Sequence, residues 1–190
     1  MIKLYSIYLD NKDELFYIFD EENIYLDSQC EDITDKILNN DILFGIVFDA
    51  KYFKLSDTRK YYVDNKNVVL DYSKKEYDIA IWLAKKFGGK IYMLPRINNP
   101  KGIQTADYLW NGELWDLKTI IGNNISTIDR AINGKKKQAN NFIIDISYSK
   151  MTTEDAIKNI KRIYSSRYRY WVNKIMLIKH NKLIKTYKRK

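Results

Sequence analysis

The stretch "TADYLWNGELWDLKTI", residues 105–120, sets Asp107, Asp116 and Lys118 in two runs that otherwise alternate like strands on either side of Asn111-Gly112. Asn-Gly is the pair a two-residue type I′ turn favours, because both central residues take positive φ. Counting outward from such a turn puts Trp110 opposite Glu113, then Asp107 opposite Asp116 and Thr105 opposite Lys118. Cross-strand neighbours have Cβ atoms about 4.5–5.5 Å apart, and like charges at that separation repel. Alternation along the second strand sends Asp116 and Lys118 to one face, and Trp115 and Leu117 to the other. Facing carboxylates are tolerated when a cation lies between them, when one is protonated, or when lysine neutralises them. A divalent metal on such hard oxygen ligands lowers the pKa of a bound water and stabilises charge on a phosphate, while a neighbouring lysine can orient the nucleophile. The spacing D-x8-D-x-K is loose, and the same residues can be a solvent-facing Asp116–Lys118 ion pair, with Asp107 merely starting a strand.

The elements needed to position these residues are those of an α/β domain. Ser73 followed by Glu76 predicts a capping box that opens a helix through "YDIAIWLAKKF", ended by Gly88-Gly89. "KIYMLPR" reads as a strand, "NNPKG" as a turn, and "TADYLW" with "ELWDLKTI" as the hairpin. "STIDRAINGKKKQAN" is helix-like although Gly134 weakens it, "FIIDIS" is a continuously apolar strand, and "TTEDAIKNIKRIYSS" is a capped amphipathic helix. "KIMLIKH" and "LIKTYK" form a second hairpin. From residue 73 the order is therefore helix, three strands, helix, strand, helix, two strands. The first 70 residues read as β-rich: "IKLYSIYLD" and "ELFYIFD" suggest a hairpin, "EDITDKILNN" a short helix, and "ILFGIVFDAKYFKL" and "NVVLDY" further strands. The expected fold class is α/β, a mixed central β-sheet flanked by helices, with a smaller β-rich N-terminal segment.

Charge supports a division near residue 70. Of the net +9, residues 1–70 carry 8 basic and 14 acidic residues, or −6, and residues 71–190 carry 25 and 10, or +15. A basic second part suits a polyanionic partner and an acidic first part could fold against it, although a lysine-rich surface can also be simply solvated. One cysteine, Cys30, and one histidine, His180, exclude an internal disulfide and a Cys/His zinc site. Any metal must rely mainly on carboxylates. No apolar run approaches the roughly 20 residues that cross a bilayer, and none has the form of a signal peptide, so a cytoplasmic protein without membrane partners is expected.

The run "FGGKIYMLPRINNPKGIQTADYLWNGELWDLKTI", continued by "AINGKKKQANNFIIDIS", resembles the C-terminal toxin domain of CdiA-type contact-dependent inhibition proteins, and similar domains occur in toxins associated with phages and mobile elements. The likeness covers residues 73–190 and rests on the succession of an acidic helix start, "LP", "G...AD", "G..WDLK" and a helix carrying "KKQA". It implies a nuclease with a PD-(D/E)XK-like site, commonly acting on tRNA and in some members on DNA. In that site Asp107 is the lone acid, Asp116 the D/E and Lys118 the lysine. Glu76 is an additional acid, and Gln138 positions substrate or water. Ala106 stands before Asp107, so the PD dipeptide is absent. The resemblance extends to the metal-independent barnase-EndoU-colicin-RelE ribonucleases, which leaves that mechanism open. It implies Asp107, Asp116 and Glu76 as metal ligands, with Mg²⁺ or Mn²⁺ as the cofactor and Zn²⁺ as an alternative. It further implies tRNA or another RNA ahead of DNA as substrate, a cognate immunity protein as a partner, and delivery from another cell or a phage particle. A non-catalytic nucleic-acid binder or an inhibitor that keeps the fold is the reading from another class.

Each residue has a plainer explanation too. Helix capping accounts for Glu76, and Gln138 can be a solvated helix residue. Lys135, Lys136 and Lys137 are phosphate contacts or an exposed face. Arg167 and Arg169, in "YSSRYRYW", mix with aromatics as nucleic-acid platforms do, whereas Tyr164 and Trp171 can equally be core. His180 before Asn181 fits turn chemistry better than acid–base work. Asp145, if it points inward, needs a buried partner.

Overall fold

The computed structural model describes residues 29–39, 44–55 and 59–190. The hairpin expected from "IKLYSIYLD" and "ELFYIFD" lies outside the described residues. Among the described residues the centre of the molecule is an eight-stranded mixed sheet. Its strands are β1 (Cys30–Asp32), β2 (Gly45–Asp49), β6 (Gly89–Met93), β8 (Tyr108–Trp110), β9 (Glu113–Thr119), β10 (Asn141–Asp145), β11 (Lys174–Lys179) and β12 (Lys182–Arg189), in the order β1-β12-β11-β10-β9-β8-β6-β2. β10 runs parallel to both β9 and β11, and β2 parallel to β6, while the remaining pairings are antiparallel. Among the described residues the two outermost strands, β1 and β2, come from the acidic first 70 residues, and every strand between them comes from the basic remainder.

Helices cover both faces, as strands buried on both sides require. β10 shows the consequence directly: all five of its residues are buried. On one face α2 (Lys74–Phe87) lays Ile79, Leu83 and Phe87 over Trp110, Trp115, Ile143 and Met176. On the other, α3 (Thr127–Ile132) and α4 (Thr153–Ser165) place Ile128, Ile132, Ile160 and Ile163 against Phe142, Ile144, Ile175 and Leu177. Tyr164 and Trp171 belong to this second core: the Tyr164 hydroxyl donates to the Asn173 and Tyr187 carbonyls, and Trp171 meets Phe142 edge-on. A short helix, α1 (Thr34–Leu38), follows β1 within the "EDITDKILNN" segment.

A third, small core joins two ribbons, β3 (Tyr52–Lys54) with β4 (Lys60–Tyr62) and β5 (Val68–Val69) with β7 (Arg96–Ile97), around Phe53, Val68 and Ile97. Apart from the two-residue strand β7 and a 3₁₀ turn at Arg167–Arg169, the element order from residue 73 is the expected one.

The capping box at Ser73 and Glu76 forms in full, and Gly88 at φ +69° caps the end of α2. The Asn111-Gly112 turn has φ of +49° and +83°, and His180-Asn181 closes the second hairpin with +49° and +54°. One helix is shorter than its sequence segment. α3 stops at Ile132, Asn133 turns to ψ 135° and Gly134 takes φ +77°, so residues 136–138 form a turn and Gln138 is not helical.

Candidate active site at the β8–β9 hairpin

The hairpin register pairs Trp110 with Glu113, Leu109 with Leu114 and Tyr108 with Trp115, where it ends; Asp107, just before β8, still interacts with Asp116. The Asp107 amide donates to the Trp115 carbonyl at 3.1 Å, one residue out of the β8–β9 register, so Asp107 and Tyr108 both stand against Trp115, and the Leu117 amide donates to Asp107 Oδ2 at 2.6 Å. Asp116 is fully buried on the middle of the sheet, aligned with Phe142 of β10 and so on the face covered by α3 and α4. Its Oδ2 is ion-paired with Lys118 Nζ, and its Oδ1 accepts from Gln138 Nε2 at 2.5 Å. Asp107, Asp116, Lys118 and Gln138 are thus brought together.

Burial first, and the charge of Asp116 second, push the Asp107 carboxyl up to about 7. Burial also raises Asp116, against the pull of Lys118, Lys135 and a hydrogen bond with Asp107. Protonation of Asp107 at its raised value is the second of the three ways in which facing carboxylates are tolerated.

Glu76 is not drawn into the cluster. Its carboxylate accepts from the Ser73 amide at 2.5 Å as the second half of the capping box, yet it is near enough to raise Asp107. Its backbone carbonyl accepts from the buried Tyr108 hydroxyl at 2.9 Å, which anchors the start of α2 to the hairpin. Among the described residues no three His, Cys, Asp or Glu side chains converge as a metal shell. The donor set that does converge, two carboxylates and an amide, is of the hard-oxygen kind that suits a divalent cation held in part by water.

Lys135 acts electrostatically on Asp116, and Lys136 and Lys137 are exposed beside it. Lys136 Nζ donates to the Tyr170 hydroxyl and lies 4.7 Å from that ring's centroid. Arg167 is exposed, but Arg169 is held by a two-pronged contact with Asp129, Nε at 2.6 Å and Nη2 at 3.0 Å.

Asp145 finds its buried partner in Lys75 of α2, at 2.7 Å, on the opposite face of the sheet. That pair lines a separate cleft of about 580 Å³ with Tyr148 and His180. The pairing was invisible in sequence because residues 75 and 145 meet only through the packing of α2 on the sheet.

Residues 104–184 match the family model of the contact-dependent growth inhibition CdiA C-terminal domain. That span holds Asp107, Asp116, Lys118 and Gln138 and excludes Glu76. Among solved structures, the CdiA-CT/CdiI toxin and immunity complex from Burkholderia pseudomallei is similar at 22% identity and a TM-score of 0.45, over 58% of this chain and 80% of that one. No curated protein matches. No helix among the described residues is long and apolar enough to cross a membrane.

Proposed function

We propose that this chain, which carries a CdiA C-terminal domain in residues 104–184, is a toxin-type endonuclease that cleaves phosphodiester bonds, with tRNA or another RNA as substrate. The observation that carries the reading is the Asp107–Asp116–Lys118–Gln138 cluster, gathered on and beside strand β9 within the matched segment. A buried carboxylate pair with a lysine at its side is costly to fold, and such groups persist where chemistry uses them. Asp107 and Asp116 would hold a divalent cation, Mg²⁺ or Mn²⁺, which when bound supplies an acidified water and neutralises charge on the phosphate. Lys118, already paired with Asp116, presents an ammonium that neutralises the developing phosphorane and orients the attacking oxygen. Gln138 Nε2 fixes Asp116, leaving the amide oxygen to position substrate or water. The lysines at 135–137 and Arg167 meet the backbone phosphates. A cognate immunity protein would be a partner, and the cytoplasm of a recipient cell the site of action.

One observation favours a second mechanism at the same residues. A carboxyl pushed up to about 7 is suited to proton transfer at neutral pH, so Asp107 could serve a metal-independent ribonuclease. Incubating the protein with total cellular RNA and with plasmid DNA, with and without EDTA, separates the readings. Cleavage that EDTA stops and added Mg²⁺ or Mn²⁺ restores, and that Lys118→Ala lacks, is the expected result. Full cleavage of RNA in excess EDTA, with DNA untouched, moves the assignment to the metal-free mechanism. Neither nucleic acid cut under any condition overturns the nuclease and leaves a binder or inhibitor.

A further inference from the structure

The β3–β4 ribbon has two unlike faces. Its register pairs Tyr52 with Tyr62, Phe53 with Tyr61 and Lys54 with Lys60. Because cross-strand partners share a face and neighbours alternate, Phe53 and Tyr61 point one way, and Tyr52, Tyr62, Lys54 and Lys60 all point the other. The first pair is packed into the small core with Leu94 and Leu114. The second set is exposed, with Tyr52 at 40% and Tyr62 at 60%. The tyrosine rings lie 5.5 Å apart at 51°, and Lys60 Nζ sits 4.8 Å from the Tyr52 centroid. Two lysines directly opposite each other repel, and no described carboxylate is paired with either. A ribbon stabilised for its own sake would not place them so. Exposed aromatic faces framed by ammonium groups that no described carboxylate neutralises are the composition of a surface that stacks bases and holds phosphates.

The ribbon also stands in the right place. Leu114, on which its buried face rests, shares a face of β9 with Asp116 two residues on, about 7 Å along the strand. The Leu94 amide, from the same small core, donates to the Asp107 carbonyl at 3.0 Å. On the other side of the carboxylates come Gln138 and the lysines before it.

We propose that the β3–β4 ribbon is a docking surface for an unpaired stretch of the RNA substrate, with bases stacked on Tyr52 and Tyr62 and backbone phosphates on Lys54 and Lys60. The strand then runs across the carboxylate cluster to Lys135–Lys137. The inference deepens the nuclease reading and rests on it for the identity of the ligand. Unpaired segments are selected because a base must be unstacked to lie on a tyrosine.

The test is fluorescence anisotropy on the full chain with a labelled single-stranded RNA and a duplex RNA of equal length, at several salt concentrations, with cleavage of the same RNA followed in parallel. The variants are Tyr52→Ser/Tyr62→Ser and Lys54→Gln/Lys60→Gln, their folding checked by circular dichroism and thermal melting. The tyrosine variant is expected to bind the single strand at least about fivefold more weakly and the duplex unchanged. The lysine variant should weaken both and flatten the dependence of log Kd on log salt by about 1 to 2. Tyrosine variants that fold and bind the single strand like wild type overturn the proposal, as does a wild-type chain that binds no single-stranded RNA or uses this ribbon to bind a protein instead. Binding that behaves as expected without any cleavage overturns only the nuclease. Cleavage by the wild type, with ribbon variants that bind normally, overturns only the docking surface.

Discussion

At the scale of residues, the two aspartates are chemically unequal although the hairpin brings them together. Asp116 holds Lys118 and Gln138, whereas Asp107 holds the Leu117 amide and has its carboxyl raised to about 7. In the unfolded chain Asp107 takes the ordinary aspartate value near 3.9. Folding raises it to about 7, so the native state binds the proton more tightly between those values. The associated stability is fully present below about pH 4 and is lost as pH rises through 7. Thermal melts without divalent metal should therefore give a Tm that falls between pH 5 and pH 8. Asp107→Asn, which mimics the protonated acid, should flatten that profile and raise Tm at pH 8. Asp116→Asn should instead destabilise by about 1–3 kcal/mol, because it strands Lys118, whose side chain is only 19% exposed. Equal effects of the two substitutions would show that the asymmetry is wrong. This pair could be found in sequence because a two-residue turn and strand alternation are local rules. The contact of Gln138 with Asp116 could be named only through family resemblance, since it depends on where the chain leaves α3.

At the scale of elements, caps and turns were readable and close approaches were not. Ser73 and Thr152 each cap a helix as their neighbours predict, and both two-residue hairpin turns adopt positive φ. Nothing in "ILFGIVFDA" announces that Gly45 lies against α2, yet a Cβ there would come 2.3 Å from the Ala84 carbonyl oxygen. Strand β2 can reach β6 only because that position has no side chain. Gly45→Ala is expected to cost about 1–3 kcal/mol by overpacking, lowering Tm by about 2–4 °C per kcal/mol. A melt unchanged from wild type would mean that β2 contributes little to the sheet. Strand β5 lies within the strand-like run "NVVLDY", whereas β7 escaped sequence reading because two residues are too few to show a period.

At the scale of the whole molecule, the change of charge near residue 70 does not mark where the sheet divides. Cys30 and Ile33 are buried, Asp32 pairs with Lys185 at 2.6 Å, and the Thr186 amide donates to Thr34 Oγ1 at 2.9 Å. Strand β2 is the outermost described strand on the opposite side. A fragment of residues 71–190 would bare the backbone edges of both β12 and β6, each a template for pairing with another chain. It should melt well below the full chain or aggregate, by calorimetry and light scattering. A monomeric fragment with the full-length Tm would show that the acidic segment is dispensable for folding. Composition revealed the two charge blocks, but which strands they supply depends on long-range pairing that charge does not encode.

The pairing of β1 with β12 has a kinetic consequence. Cys30 lies opposite Arg189, a separation of 189 − 30 = 159 residues. Loop closure of that length must precede any reward from the contact, so this pairing belongs to the slow, late part of folding. Until β12 is available, β1 lacks the strand it pairs with among the described residues, and a chain emerging from its N-terminal side carries its aspartate–lysine cluster on an unfinished sheet. Activity should then appear only after the last strand has docked, which ties the onset of chemistry to completion of the fold.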